Sequence, residues 1–255
     1  FTVGVVLQPL DGFLGRFRLS ADYYDIDIED AISTLGQQNI VNRCVEGNAL
    51  SCSLITRDAN NNVTQVVDTV QNVNQLIARG VDFELSYRQP LGSDSELTLA
   101  VLAAYVKDLI TIDSVGPTQR AGQTGLRGGT PPGMPDWTVD AIARLDLGER
   151  FSLNGRVRWV NGGFFFPTFV VEGDPGFSLT NPNSANLNDV PSRTYVDLLA
   201  AYRFPVEEGS IEFYAGVDNV FDTDPPRTPG ANGAGNNVLF NPAGRTFKGG
   251  VRMTF

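Results

Sequence analysis

From Ile211 to Asp218 the chain alternates strictly. Ile211, Phe213, Ala215 and Val217 share one face, and Glu212, Tyr214, Gly216 and Asp218 share the other. A period of two marks a strand with two unlike faces. The same pattern recurs along the chain. Val81, Phe83, Leu85 and Tyr87 oppose Asp82, Glu84, Ser86 and Arg88. Trp137, Val139, Ala141, Ala143 and Leu145 oppose Thr138, Asp140, Arg144 and Asp146. Phe151, Leu153, Val157 and Trp159 oppose Ser152, Asn154, Arg156 and Arg158, and Val196, Leu198, Ala200, Tyr202 and Phe204 oppose Tyr195, Asp197, Leu199, Ala201 and Arg203. Nine such runs are predicted, at 1–8, 14–28, 74–89, 96–112, 136–147, 151–161, 193–204, 210–221 and 245–255. No convincing amphipathic helix lies between them.

Alternation alone also fits a soluble sandwich with one wet face. Two features favour another architecture. Most of the runs keep their pattern for about ten residues or more, whereas soluble strands usually have ~5–6. A strand crossing a bilayer at a tilt needs ~9–11. The connections also alternate in length. Short ones lie near 8–13, 89–95, 148–150 and 205–210, and long ones at about 29–73, 113–135, 162–192 and 222–244. Tight turns at one end and long polar loops at the other are the signature of an outer-membrane barrel. The expected fold is therefore all-β: a transmembrane antiparallel β-barrel whose apolar face meets lipid and whose charged face lines a wet lumen. Strands can span lipid only when every backbone group is paired, so the sheet must close. Phe204, Phe213, Trp137, Trp159, Tyr87 and Phe255 fall near strand ends, where interfacial aromatics belong. Nine is odd, whereas single-chain bacterial barrels are even. The expectation is that these residues are the C-terminal portion of a larger barrel; a full polypeptide near 28 kDa would contradict it.

Composition narrows the function. Hydrophobic residues make up 42% of 255, enough for a lipid-facing or buried surface, and no run of ~18 apolar residues exists to make a transmembrane helix. A net charge of −10 argues against nucleic-acid binding. There is no His at all, which removes the commonest neutral-pH base and metal ligand, and with it Ser-His or Cys-His catalysis within these residues. No enzymatic activity and no cofactor are expected. Charges recur on every strand, among them Arg144, Arg156, Arg203, Glu212, Asp218, Lys248 and Arg252. That spread reads as cross-strand ion pairs in a hydrated wall, in preference to a catalytic carboxylate pair.

The stretches LSADYYDIDIEDAIS, NVNQLIARGVDFELSYRQPL, VDNVFDTDPP and FKGGVRMTF, in this order, together resemble the C-terminal barrel region of TonB-dependent outer-membrane receptors. The resemblance runs over nearly the whole chain. It implies a 22-stranded barrel, about nine strands of which are here, and a plug domain and N-terminal strands upstream of residue 1. It implies active import of a scarce large nutrient, an oligosaccharide or siderophore-type ligand, powered through TonB. The two-cysteine loop and the lack of a His-rich surface lean slightly toward carbohydrate. The alternative is a passive porin or another outer-membrane barrel without energy coupling. Expected partners are TonB, through an N-terminal segment outside this chain, the barrel-assembly machinery, outer-membrane lipid and a small-molecule nutrient.

Cys44 and Cys52 lie in the first long loop. At an oxidising cell surface they read as a disulfide; a metal pair is the rival reading, with no His to complete it. Asp58, Asn60 and Asn62 faintly resemble a calcium loop, but Val63 stands where Gly is needed, so a polar hairpin tip is preferred. Phe164, Phe165, Phe166 and Phe169 start a long loop; girdle or loop packing is favoured over stacking on a ligand. The stretches 127–137 and 228–237 read as a Pro-stiffened loop and a Gly/Asn-rich loop. Finally, Phe247, Val251, Met253 and Phe255 face outward on the last strand. In the family this alternation ending on an aromatic is the signal read by the barrel-assembly machinery.

Overall fold

The computed structural model describes residues 1–9, 16–72, 75–113, 116–125, 132–228, 236 and 238–255. Nine strands build one sheet: β1 (Thr2–Leu7), β2 (Phe17–Glu29), β3 (Gln75–Pro90), β4 (Glu96–Asp113), β5 (Trp137–Leu147), β6 (Phe151–Val160), β7 (Arg193–Val206), β8 (Gly209–Asp218) and β9 (Thr246–Thr254). They neighbour one another in chain order, and every pair is antiparallel. A short strand, Gly116–Gln119, folds back on the far end of β4. All nine expected runs are strands. The largest offsets are three residues, at the start of β2 (14 expected, 17 observed) and the end of β8 (221 expected, 218 observed).

The connections sort by end. Glu207 and Glu208 alone join β7 to β8, and Gly148, Glu149 and Arg150 join β5 to β6. Gly148 has φ 58°, which glycine adopts without strain. The other end carries the loops 30–74, 114–136, 161–192 and 219–245.

Register places the aromatics in two bands on the outward face. At the loop end, Tyr23, Val81, Tyr105 and Trp137 lie opposite one another in a single row. Trp137 stacks on Tyr105 at 4.8 Å and on Phe83 at 6.1 Å. At the turn end, Phe17 stacks on Tyr87 at 4.4 Å, and Tyr202, Phe204 and Phe213 form a second cluster with centroids 4.6 and 5.8 Å apart. Phe151 and Trp159 are eight residues apart on β6, on the order of 20 Å along a tilted strand, close to the apolar band of a membrane barrel. Immediately beyond the upper aromatic row the outward face turns ionic. Arg79 donates to Asp25 at 2.9 Å and lies 3.7 Å from Asp108, all three in one row.

Glycines let two tyrosines lie flat on the inward face. Tyr24 is paired with Gly80, and Tyr214 with Gly250. Gly80 borders a bulge in β4, where the register shifts between Arg79 and Gly80.

The D-N-V-F-D motif ends β8. Asn219 is fully buried with φ 54°. Its N–H donates to Asp197 at 2.8 Å, and its carboxamide donates to Thr223 O and accepts from Thr223 N. Asp222 then accepts from the Arg245 N–H at 2.8 Å, joining the two ends of the loop 219–245. Asn219→Ala is expected to cost about 2–4 kcal/mol, from buried groups left unpaired and an unfavourable left-handed backbone. Asn219→Gly, which keeps the backbone relaxed, should cost less. Limited proteolysis of the assembled protein within 219–245 would measure both.

The structure adds helices that the sequence pattern did not predict. α1 (Gln37–Val45) and α2 (Ala49–Ser53) lie in the first long loop. Ile40, Val41, Cys44 and Val45 stand at helical spacing and Ile40 is fully buried, but α1 has only nine residues and its N-cap Gly36 makes no side-chain cap, so the signal is short and lacks a start.

Candidate functional site

Two surfaces can act on a solute: the inward face of the wall and the loop layer at its mouth. The inward face is built from the polar half of each strand. Glu212 sits between two arginines on neighbouring strands, 2.9 Å from Arg203 and 3.2 Å from Arg252, each directly opposite it in register. Arg156 clasps Asp140 with two nitrogens, Lys248 meets Asp218 at 2.6 Å, and Arg88 meets Glu96 at 3.3 Å. Arg158 lies over the Tyr195 ring at 5.1 Å. The charges are therefore distributed in cross-strand pairs, the hydrated-wall arrangement expected from the sequence. Half-exposed pairs of this kind are each worth about 0.2–1 kcal/mol. They keep the wall polar.

The mouth has its own hydrophobic core. Phe165 and Phe166 are buried with Val160, Val190, Tyr195 and Phe240, and Phe169 and Leu239 pack against them. Phe169 lies 5.3 Å from Phe166 and 5.9 Å from Phe165. The Asn188 carboxamide holds both backbone groups of Phe166, accepting from its N–H and donating to its carbonyl. Phe164 is half-buried: its N–H donates to Gly122 O and its carbonyl accepts from Thr124 N, tying the loop 161–192 to the loop 114–136. Asn236, buried, donates to Thr124 O and brings in the loop 219–245. Of the four phenylalanines weighed as ligand contacts, Phe165 and Phe166 thus offer no exposed ring face. Phe164 and Phe169 keep part of theirs. Tyr195, Val190, Asn188 and Phe240 complete the layer and carry no local signal in the sequence, because they come from three separate segments.

The first loop is held by the Cys44–Cys52 disulfide, S–S 2.07 Å, between α1 and α2. Closing so short a loop removes on the order of 2–3 kcal/mol of unfolded-state freedom. Asn48 caps α2 by accepting from the Ser51 N–H. At the tip, strands Ile55–Arg57 and Val63–Val66 form a hairpin, as read from the sequence. There the Asn62 side chain, the Asn62 N–H and the Asn60 N–H all donate to Asp58 and hold its carboxyl below the usual range.

On β9 the outward row is exposed along its length: Phe247, Val251, Met253 and Phe255 are 77, 51, 57 and 96% accessible, so this face is free to meet lipid or protein. Most of the stretch 228–237, and 127–131 of the Pro-stiffened loop, lie outside the described residues.

The family described as TonB dependent receptor-like, beta-barrel matches residues 1–220. No curated protein matches the sequence. Among solved structures, the siderophore receptor PirA from Acinetobacter baumannii is similar with a TM-score of 0.56 at 16% identity, over 100% of this chain and 31% of that one. A variant of the ferric enterobactin receptor PfeA from Pseudomonas aeruginosa, solved with enterobactin, is similar with a TM-score of 0.56 at 16% identity, over 98% of this chain and 30% of that one. At such identity the likeness is one of fold. The chain spans about 30% of the length of these structures. Outward aromatics, an ion-paired inner wall and long loops gathered at one end agree with the family match: the chain belongs to the TonB-dependent receptor β-barrel family of the outer membrane.

Proposed function

We propose that this chain is part of the wall and mouth of an outer-membrane active-transport receptor that imports a scarce large nutrient under TonB energy coupling. The observation that carries this reading is the mouth. Three long loops are tied by hydrogen bonds, and two of them, 161–192 and 219–245, by a shared apolar core, into one layer over a polar inner wall. A passive pore needs no such layer; a receptor that must capture its solute does. In this reading the nine strands belong to a 22-stranded barrel enclosing an N-terminal plug, whose TonB-box segment TonB pulls. The plug bears on the paired charges of the inner wall, and closes a lumen that would otherwise leak. The ligand is of oligosaccharide or siderophore type. A strain lacking the receptor should lose uptake of that nutrient, and a strain lacking TonB should lose it equally. Uptake that persists unchanged without TonB would establish the passive-porin alternative instead.

The outward row Phe247, Val251, Met253 and Phe255 is proposed as the segment read by the barrel-assembly machinery. Its exposed rings and alternation suit capture of a nascent strand. Phe255→Ala is expected to lower the receptor found in the outer membrane several-fold, while what does assemble binds its nutrient with unchanged affinity. Immunoblots of membrane fractions, paired with binding on the purified receptor, separate the two effects; normal surface levels would contradict the role.

A further inference from the structure

On the inner wall one arginine is left over. Asp140 on β5 stands directly opposite Arg158 on β6, the pairing that a cross-strand ladder would use. Asp140 is instead clasped by Arg156 through both of its carboxylate oxygens. Arg158 turns the other way and lies over the Tyr195 ring, 5.1 Å from its centre. The side chain is half-buried, and among the described residues no acceptor meets its guanidinium. Two cavities border this one residue. A polar one of about 540 Å³ also reaches Asn241 of the loop 219–245. An apolar one of about 370 Å³ is bounded by Leu102, Ala104, Val160, Val238 and Leu239. Leu102 faces inward, opposite Glu84 and Asp140 in register, yet it is 56% accessible. Val160, Tyr195 and Leu239 also belong to the core of the mouth, so both cavities lie directly beneath the loop layer.

We propose that Arg158 anchors a subsite for a carboxylate carried on an apolar carbon skeleton, a step that rests on the reading of the chain as a nutrient receptor. A guanidinium without an acceptor presents a planar fork matched to a carboxylate. The Tyr195 ring occupies one face of that fork and steadies it, while its N–H groups lie along the edge. The carboxylate meets the edge, and the carbon skeleton rests on Leu102, Ala104, Val160 and Leu239. A polyhydroxylated skeleton is rejected there, because its hydroxyls would face apolar side chains unpaired. Two carboxylates also border the apolar cavity. Arg156 offsets the charge of Asp140. Asp82 is on β3, three strands from Arg158, roughly 14 Å away at ~4.8 Å per strand. The apolar cavity is at the small end of the roughly 300–1,000 Å³ of a ligand pocket, so it takes one end of a larger solute.

The test uses the full-length receptor in lipid nanodiscs, with benzoate as probe and benzamide and D-glucuronate as its charge-free and polar-skeleton comparisons. Isothermal titration should show benzoate binding at least tenfold more tightly than either. Arg158→Gln should weaken it tenfold or more, while Arg57→Gln, at the exposed hairpin of the first long loop, leaves it unchanged. Leu102→Asn should weaken it several-fold. That position is more than half exposed, so its variant still assembles and decides the matter if Arg158→Gln does not. Benzoate binding that is absent, that benzamide or glucuronate matches, or that survives either substitution at full strength would overturn the proposal. Uptake that persists without TonB, with benzoate binding intact, would instead count against the receptor reading and leave the subsite standing.

Discussion

Gly80→Ala is expected to cut the amount of assembled receptor more than tenfold, and removing the Tyr24 ring in the same molecule should not restore it. A Cβ at Gly80 would collide with the Tyr105 carbonyl oxygen as well as the Tyr24 phenol. The phenol can swing; the carbonyl is fixed in the ladder of β3 and β4, beside the bulge. Overpacking of this kind costs about 1–3 kcal/mol or more when the neighbour cannot yield. Gly250 gives the internal comparison. The atoms nearest a Cβ there all belong to the Tyr214 ring, Oη at 2.5 Å and Cζ at 2.7 Å. Gly250→Ala should therefore be milder, and Tyr214→Ala should rescue it. The receptor recovered from outer-membrane fractions measures all four variants. Equal rescue at both sites would show that the tyrosines, not the backbone, set the requirement.

The second large effect is at the mouth. Phe166→Ala should destabilise the loop layer by about 3–5 kcal/mol, since Phe166 is 1% exposed at the centre of its cluster. The strands lie outside that cluster apart from Val160 and Tyr195, so the barrel should still assemble. The loops 161–192 and 219–245 should become protease-sensitive on intact cells, and under the proposed function uptake should fall with them. Phe166→Leu, which keeps most of the volume, should lie between. An unchanged digestion pattern for Phe166→Ala would mean that the layer does not depend on this core.

The contrast between wall and mouth explains what the sequence made legible. A strand with lipid on one side and water on the other must alternate, so Phe213 and Glu212 disclose their faces from order alone. The D-N-V-F-D motif was visible as a pattern, but its work in holding Asp197, Thr223 and Arg245 was not. Phe164, Phe165 and Phe166 form a run with no period, and their burial is decided by Val190, Tyr195 and Phe240 from elsewhere in the chain. The helix α1 was missed for another reason: Ile40, Val41, Cys44 and Val45 have helical spacing, but only over nine residues and with Gly36 in place of a capping side chain.

The ionic row Asp25–Arg79–Asp108, one row beyond Tyr23, also fixes how high the molecule stands. β2 continues six residues past Tyr23 to Glu29, which at ~3.3 Å per residue and a tilt of ~40° lifts its end by roughly 15 Å. The wall is thus taller than the bilayer, and its upper part is a collar standing in water. A solute diffusing over the cell meets the loops before it meets the headgroups, so the rate of capture should follow the solute's concentration in the medium and depend little on the charge of the surrounding lipid.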